Sequence, residues 1–183
     1  NAFGETMWST NGVPVCTAAG DQSGVDVVSD GAGGAIVAWQ DGPAGTTDIY
    51  AQRISGGGSL LWAARGVPVC VAANQQAFPR VTTVGAGGAL VGWRDRRNGT
   101  NDDVYAQRVD ASGVAQWTPD GLLVCGAAGN QIGVRIVSDG ADGLIVVSLP
   151  RIDAPADLRG GGQGLVRRGH VERGAGSARL NLE

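Results

Sequence analysis

Asp48–Ile54 reads DIYAQRI, and Asp103–Val109 reads DVYAQRV. Both copies sit in a longer unit. Residues 13–62 run through GVPVC, a Gln-bearing loop, SDGAGGAIVAWQD, DIYAQR, a Gly-rich turn and LLW. Residues 67–117 repeat that order with GVPVC, a Gln-bearing loop, GAGGALVGWRD, DVYAQR and DASGVAQW. A third copy starts at Leu122 with LLVC, runs through SDGADGLIVV and then loses the pattern. Cys16, Cys70 and Cys125 are spaced by 54 and 55 residues, and so are Trp8, Trp62 and Trp117. A fixed period of this size marks a repeat architecture.

Each repeat holds four short β signals. In the first copy these are Val13–Thr17, Val25–Ser29, Gly34–Trp39 and Asp48–Ile54. Branched, aromatic and apolar residues alternate or run briefly there, and Gly, Asp, Asn and Pro punctuate them. SDGAGG and DASG are tight-turn chemistry, since Gly and Asp tolerate positive φ. No stretch before the tail places apolar residues at helical spacing between caps, so the fold class is all-β. Four strands per unit of this length is the pattern of a β-propeller blade. The chain resembles bacterial repeat propellers with the pattern GGxxVxW-x-D, DxYAQR and GVxVC. The resemblance covers about residues 1–147 and implies four-stranded antiparallel blades; it implies no particular activity.

The units divide as follows. Residues 1–17 form an orphan outer strand, with Phe3–Trp8 (FGETMW) aligned on Gly57–Trp62. Residues 18–71 form a first blade, 72–126 a second, and 127–150 a partial third holding Val134–Ser138 and Gly143–Val147. Residues 151–183 are a non-repeat tail. Ser148 stands where Trp39 and Trp93 stand, and Pro150 where Asp41 and Asp95 stand. From there the text is rich in Arg and Gly and poor in strand formers. These features predict a reading-frame change or a library-fragment junction near residues 147–150, with the final Leu-Glu as a cloning scar. Part of the tail is expected to be held in place of the missing third strand.

Composition narrows the function classes. The 14 basic residues, all Arg, stand against 17 acidic ones, for a formal net charge of −3. This argues against nucleic-acid binding, which usually requires a basic face. No stretch approaches the roughly 20 apolar residues of a membrane span. The absence of Lys with abundant Gly and Ala points to a GC-rich bacterial source. The chain opens inside a repeat, so any targeting segment is expected upstream, and the parent is expected to be secreted or at the cell surface. Equivalent cysteines in neighbouring blades lie too far apart for a disulfide, which needs Cα atoms within about 7 Å. They read as small buried apolar residues.

The loops after second strands and after fourth strands share one face of a propeller. Here they are Gln40–Asp48 and Arg94–Asp103, with Gln22, Gln76 and Gln131 each six residues after a Cys. Asp41, Asp48, Asp95, Asp102 and Asp103 are therefore expected on one rim. Carboxylates and carbonyls of this kind are hard-cation ligands, which makes Ca²⁺ the candidate metal. The same residues are also ordinary turn and cap residues. Gln22, Gln76, Gln131, Trp39 and Trp93 are the candidate ligand-binding set, with glycan stacking as one use of the tryptophans and inter-blade packing as the other. Asp30 and Asp139 read as structural turn residues. Tyr50, Gln52, Arg53, Tyr105, Gln107 and Arg108 read as packing and hydrogen-bonding residues between blades. There is no Gly-x-Ser-x-Gly elbow, and the single His170 lies outside the repeats, so no nucleophile–base pair is written into a blade.

Two functions follow as expectations. The first is a self-assembling propeller fragment that binds small-molecule, glycan or protein ligands on its loop face. The second is a metal-dependent hydrolase of phosphoesters or carboxyesters, using rim carboxylates, of the sort an activity screen of metagenomic DNA recovers. About three blades cannot close a ring alone, so a homodimer of six blades is expected, with a trimer next. In that ring Val13–Thr17 is expected to complete the partner's last blade.

Overall fold

The computed structural model describes residues 8–85, 87–140, 143–150, 165–174 and 177–182. No helix occurs among them. The strands are β1 (Gln22–Ser29), β2 (Ala35–Asp41), β3 (Asp48–Ile54), β4 (Val67–Cys70), β5 (Gln76–Thr83), β6 (Ala89–Asp95), β7 (Asp103–Val109), β8 (Leu122–Cys125), β9 (Gln131–Ser138), β10 (Leu144–Pro150), β11 (Leu165–Gly174) and β12 (Ser177–Leu182). They form three four-stranded antiparallel sheets, β1-β2-β3-β4, β5-β6-β7-β8 and β9-β10-β11-β12. Strand β5 of the second sheet packs on β1, β2 and β3 of the first, and β9 of the third packs on β5, β6 and β7.

The repeat is kept in register. Trp39 pairs with Tyr50 and Asp41 with Asp48, just as Trp93 pairs with Tyr105 and Asp95 with Asp103. The turn residues act locally. Asp30 Oδ1 accepts the amides of Ala32 at 2.8 Å and Gly34 at 2.7 Å, closing the β1–β2 hairpin. Its other oxygen receives Arg53 at 2.9 Å, and these bonds, the Ala32 amide first, hold the carboxyl below its usual range against the opposing effect of burial.

The Gln of each YAQR peptide clamps the next connection. Gln52 Oε1 accepts the amides of Arg53 and Trp62 at 3.0 Å, while its Nε2 donates to the Ala63 carbonyl at 2.6 Å. Gln107 does the same with Arg108, Trp117 and Thr118. Both glutamines are fully buried, so every polar atom has to be satisfied inside the protein.

Sheet-to-sheet joints also repeat. The Gln76 amide donates to the Thr47 carbonyl at 2.7 Å, and the Gln131 amide donates to the Asp102 carbonyl at 2.7 Å. Trp62 Nε1 donates to the carbonyl of Ala111 at 3.0 Å, hooking the first sheet onto the β7–β8 turn of the second. Trp8 Nε1 makes the equivalent bond to Gly56 at 2.9 Å. A Cβ on Gly58 would meet Trp8 and Val13, and one on Gly113 would meet Trp62 and Val67. The N-terminal segment thus rides on the first sheet as residues 62–67 ride on the second.

Two features depart from the expectations. Val13–Thr17 lies outside the named strands and packs on the first sheet, where Val13 meets Gly58. The place beside β10 is filled by part of the tail, as expected, but the tail also adds an outer strand, β12, which departs from the expectation. Strand β11 pairs with β10 (Val146↔Arg167, Ser148↔Leu165), and β12 pairs with β11 (Val171↔Leu180). Backbone ladders need no particular side chains, so an Arg- and Gly-rich segment can occupy an open edge. The third sheet thus has four strands from this one chain. Phe3–Met7 and residues 151–164, which bear on the expected alignment and junction, lie outside the described residues.

Candidate functional site

The rim where second and third strands meet holds a polar cluster in the second sheet. Asp95 closes β6 and is 1% exposed. Its carboxylate accepts Trp93 Nε1 at 2.8 Å, the Arg97 amide at 2.8 Å, Arg97 Nε at 2.9 Å and an Arg97 terminal nitrogen at 2.7 Å. Burial alone would raise the Asp95 pKa; the Arg97 and Trp93 bonds overcome it and hold the carboxyl below the usual range. The Arg97 fork also donates to the Asp120 carbonyl at 2.7 Å and to Cys70 Sγ at 3.3 Å. Its guanidinium lies 3.7 Å from the centroid of the Tyr105 ring, a cation–π contact. Burial, with the Asp95 charge adding to it, pushes the Cys70 thiol up to about 12, so it stays protonated at neutral pH.

Asp102 forms a second pairing. It binds Arg94, and Arg96 approaches it at 3.1 Å. Its amide donates to Asn130 Oδ1 at 2.9 Å. Asp103 accepts Asn98 at 2.9 Å, and burial, then the Asp95 and Asp102 charges, keep its carboxyl above the usual range against that bond. Arg94 also lies over the exposed Phe78 ring, 4.7 Å from its centroid. Phe78 has φ 55°, and the equivalent residues Gly24 and Gly133 have φ 60° and 64°. A phenylalanine thus holds a left-handed position that glycine takes in the other two repeats.

The first sheet carries the same frame with different contents. Trp39 stacks on Tyr50 (6.3 Å between centroids, 23° between planes) as Trp93 stacks on Tyr105 (6.4 Å, 24°). Pro43 stands where Arg97 stands, and Gly42 where Arg96 stands. Asp41 is half-buried, and one of its oxygens accepts Gln22 Nε2 at 3.1 Å. Trp39 Nε1 is buried with no hydrogen-bond partner among the described residues. Burial raises the Asp48 carboxyl, and the charges of Asp120 and Asp41 raise it further. The same causes in the same direction act on Tyr50: burial, then Asp48 and Asp41.

Four of the five rim carboxylates have partners of their own. Asp95 is committed to Arg97, Asp102 to Arg94 and Arg96, Asp103 to Asn98 and Asp41 to Gln22. Among the described residues no group of three or more His, Cys, Asp or Glu side chains is placed to hold a metal ion. The candidate ligand-binding residues are mostly interior. Gln76 and Gln131 are fully buried and bond their own loops at Ala73 and Ala127, and Trp39 and Trp93 are 2% and 0% exposed. Tryptophan faces so covered serve the packing use and leave no ring for a sugar. Gln22 alone of the set is partly open. The three cysteines are free thiols, as their spacing requires.

Arg97 and the left-handed Phe78 are not singled out by the repeat pattern, whereas Gln52 and Gln107 are expected as hydrogen-bonding residues and bond the connection that follows. A signal for the first is present in the sequence, since QDGPAGTTD and RDRRNGTNDD align with three arginines on one side only. Comparison of the sequence with protein-family models and with curated proteins finds no match.

Proposed function

We propose that the chain is a self-associating β-propeller fragment that serves as a binding scaffold, with three blades per chain and two chains closing a six-bladed ring. One observation carries this reading. Val25 and Val27 on β1 are 62% and 60% exposed, while their equivalents Val81, Val134 and Ile136 are 8%, 3% and 9% exposed. The inner sheets bury this face against the sheet before them, and among the described residues no sheet packs on this face of the first. At the other end, Val137 on β9 is 54% exposed. Ile145 is only half-buried where Ile36 and Leu90 are fully buried. The two open faces are the two halves of a joint the chain already makes twice internally. A second copy supplies both halves, and each valine so covered contributes about 1.5–3 kcal/mol. Two-fold closure needs no new contact type, and it is the commonest symmetry of homo-oligomers.

This form of the ring differs from strand exchange. Strands β11 and β12 complete the third sheet in cis, so the subunits meet face to face. Light scattering tests it. The expected mass is twice the 18.5 kDa chain mass, and Val27→Asp is expected to return it to that of one chain. A single-chain mass for the wild type in dilute solution overturns the proposal. A threefold mass keeps the joint and discards the six-bladed count.

A further inference from the structure

We propose that the rim of the first sheet is a receptor for a guanidinium group, the arginine side chain of a ligand taking the place that Arg97 fills in the second sheet. The chain provides its own template for the bound state. In the second sheet the guanidinium is held by the Asp95 carboxylate, the Asp120 carbonyl and the Tyr105 ring. The first sheet keeps the counterpart of each: Asp41, the backbone at Arg65 and Tyr50.

The two frames make matching local contacts as well as sharing register. A Cβ on Gly66 would fall 2.5 Å from Trp39 Cη2, and one on Gly121 would fall 2.5 Å from Trp93 Cη2. Both glycines have φ 82°. The indoles are thus seated alike against the same turn. The loop leaves the sheet alike too, since the Gly42 amide donates to Asp21 at 3.1 Å and the Arg96 amide to Gln75 at 2.8 Å. Cys16, from the segment that rides on the first sheet, reaches the Arg65 carbonyl at 3.7 Å. It occupies the position that Cys70 holds beside Arg97.

The first sheet carries Pro43 where the second carries Arg97, and three observations bear on a cation at this place. No arginine forms an ion pair with Asp41 or Asp48 among the described residues. Trp39 Nε1, in a residue 2% exposed, has no acceptor among them, whereas Trp93 Nε1 donates to an Asp95 carboxylate that Arg97 holds in place. Asp41 is half-buried where Asp95 is 1% exposed, so the carboxylate that would hold the guanidinium is reachable from solvent. Acidic groups surround it, since Asp41 and Asp120 both add to burial in raising the Asp48 carboxyl. A guanidinium would pair with Asp41, stack on Tyr50 and draw the Asp41 carboxylate toward the Trp39 indole. An ammonium has neither the planar fork nor the stacking face, so arginine is favoured over lysine. The site lies within one chain and does not depend on ring closure.

Calorimetric titration of the wild-type protein with L-arginine amide tests the site, with L-lysine amide as the control. The expected result is binding of arginine amide, with lysine amide at least about tenfold weaker. Asp41→Asn is expected to weaken arginine amide about tenfold. Pro43→Arg places a guanidinium at the Arg97-equivalent position of the same loop. It is expected to abolish binding, raise the melting temperature and move the Trp39 indole N–H resonance to where saturating arginine amide moves it in the wild type. No binding by the wild type, equal binding of the two amides, or unaltered binding by Pro43→Arg overturns the proposal. Pro43→Arg decides the matter if Asp41→Asn does not fold.

Discussion

Replacing Arg97 with methionine isolates the cluster in the second sheet. Methionine keeps much of the aliphatic stem and removes the charge. The variant loses two side-chain bonds to Asp95, the bond to the Asp120 carbonyl and the contact with the Tyr105 ring. It leaves a carboxylate with 0% side-chain exposure without its counter-charge. Breaking a buried pair from one side costs about 3–5 kcal/mol. The Arg97 side chain is 24% exposed, so the lower end, about 3 kcal/mol near neutral pH, is expected. The dependence on pH provides the sharper check. In the wild type the Asp95 carboxyl lies below its ordinary value of 3.8. It contributes stability above the unfolded-state pKa, and that stability is lost as pH falls through the folded value. Without Arg97 the burial that opposes ionisation wins, and the folded pKa rises above the unfolded one. The ionised group then destabilises the variant above that pKa, and the penalty fades as the carboxyl protonates. The gap between wild type and variant is therefore widest near neutral pH and shrinks on acidification. Urea unfolding near pH 7 and near pH 4 measures it. A gap under about 1 kcal/mol at neutral pH, a typical surface ion-pair value, or one that stays constant with pH, refutes the buried-pair reasoning. Asp95→Asn on the Arg97→Met background is expected to recover part of the loss.

Two further changes probe the same frame. Asp48→Asn is expected to stabilise the protein at neutral pH, because burial and the Asp120 and Asp41 charges hold the folded carboxyl above 3.8. The gain should vanish below the unfolded pKa, where both states are protonated; a melting-temperature gain that persists in acid contradicts this. Phe78→Gly is expected to raise stability by about 1 kcal/mol by releasing a left-handed phenylalanine, and a loss in urea unfolding would show that the Arg94 stack outweighs the backbone strain.

The strand layout is largely legible in the amino-acid sequence. Asp48–Ile54 is a strand with the expected bounds, and Val134–Ser138 and Gly143–Val147 lie within or overlap β9 and β10. Alternation, turn glycines and the repeat are local or periodic features, and a ladder between neighbouring strands follows from them. The turn role of Asp30 is legible for the same reason. Its partners Ala32 and Gly34 are two and four residues away.

The rim chemistry is not legible in the same way, for physical reasons. The sequence places five carboxylates on one face. Which of them meets an arginine depends on loop paths that fix side chains to a fraction of an ångström, and hydrogen bonding weakens steeply beyond that reach. The burial of Gln76, Gln131, Trp39 and Trp93 depends on sheets stacking against one another, which an alternating pattern permits but does not specify. That part of the tail lies beside β10 is expected from the missing third strand, but which residues form β11 and β12 cannot be read from the tail, because an open backbone edge recruits partners with little regard to side chains. The repeat by itself determined strands, registers and turns, whose causes lie within a few residues. Only the tertiary structure decided which charges are neutralised and which faces stay open, because those depend on what the neighbouring sheet brings.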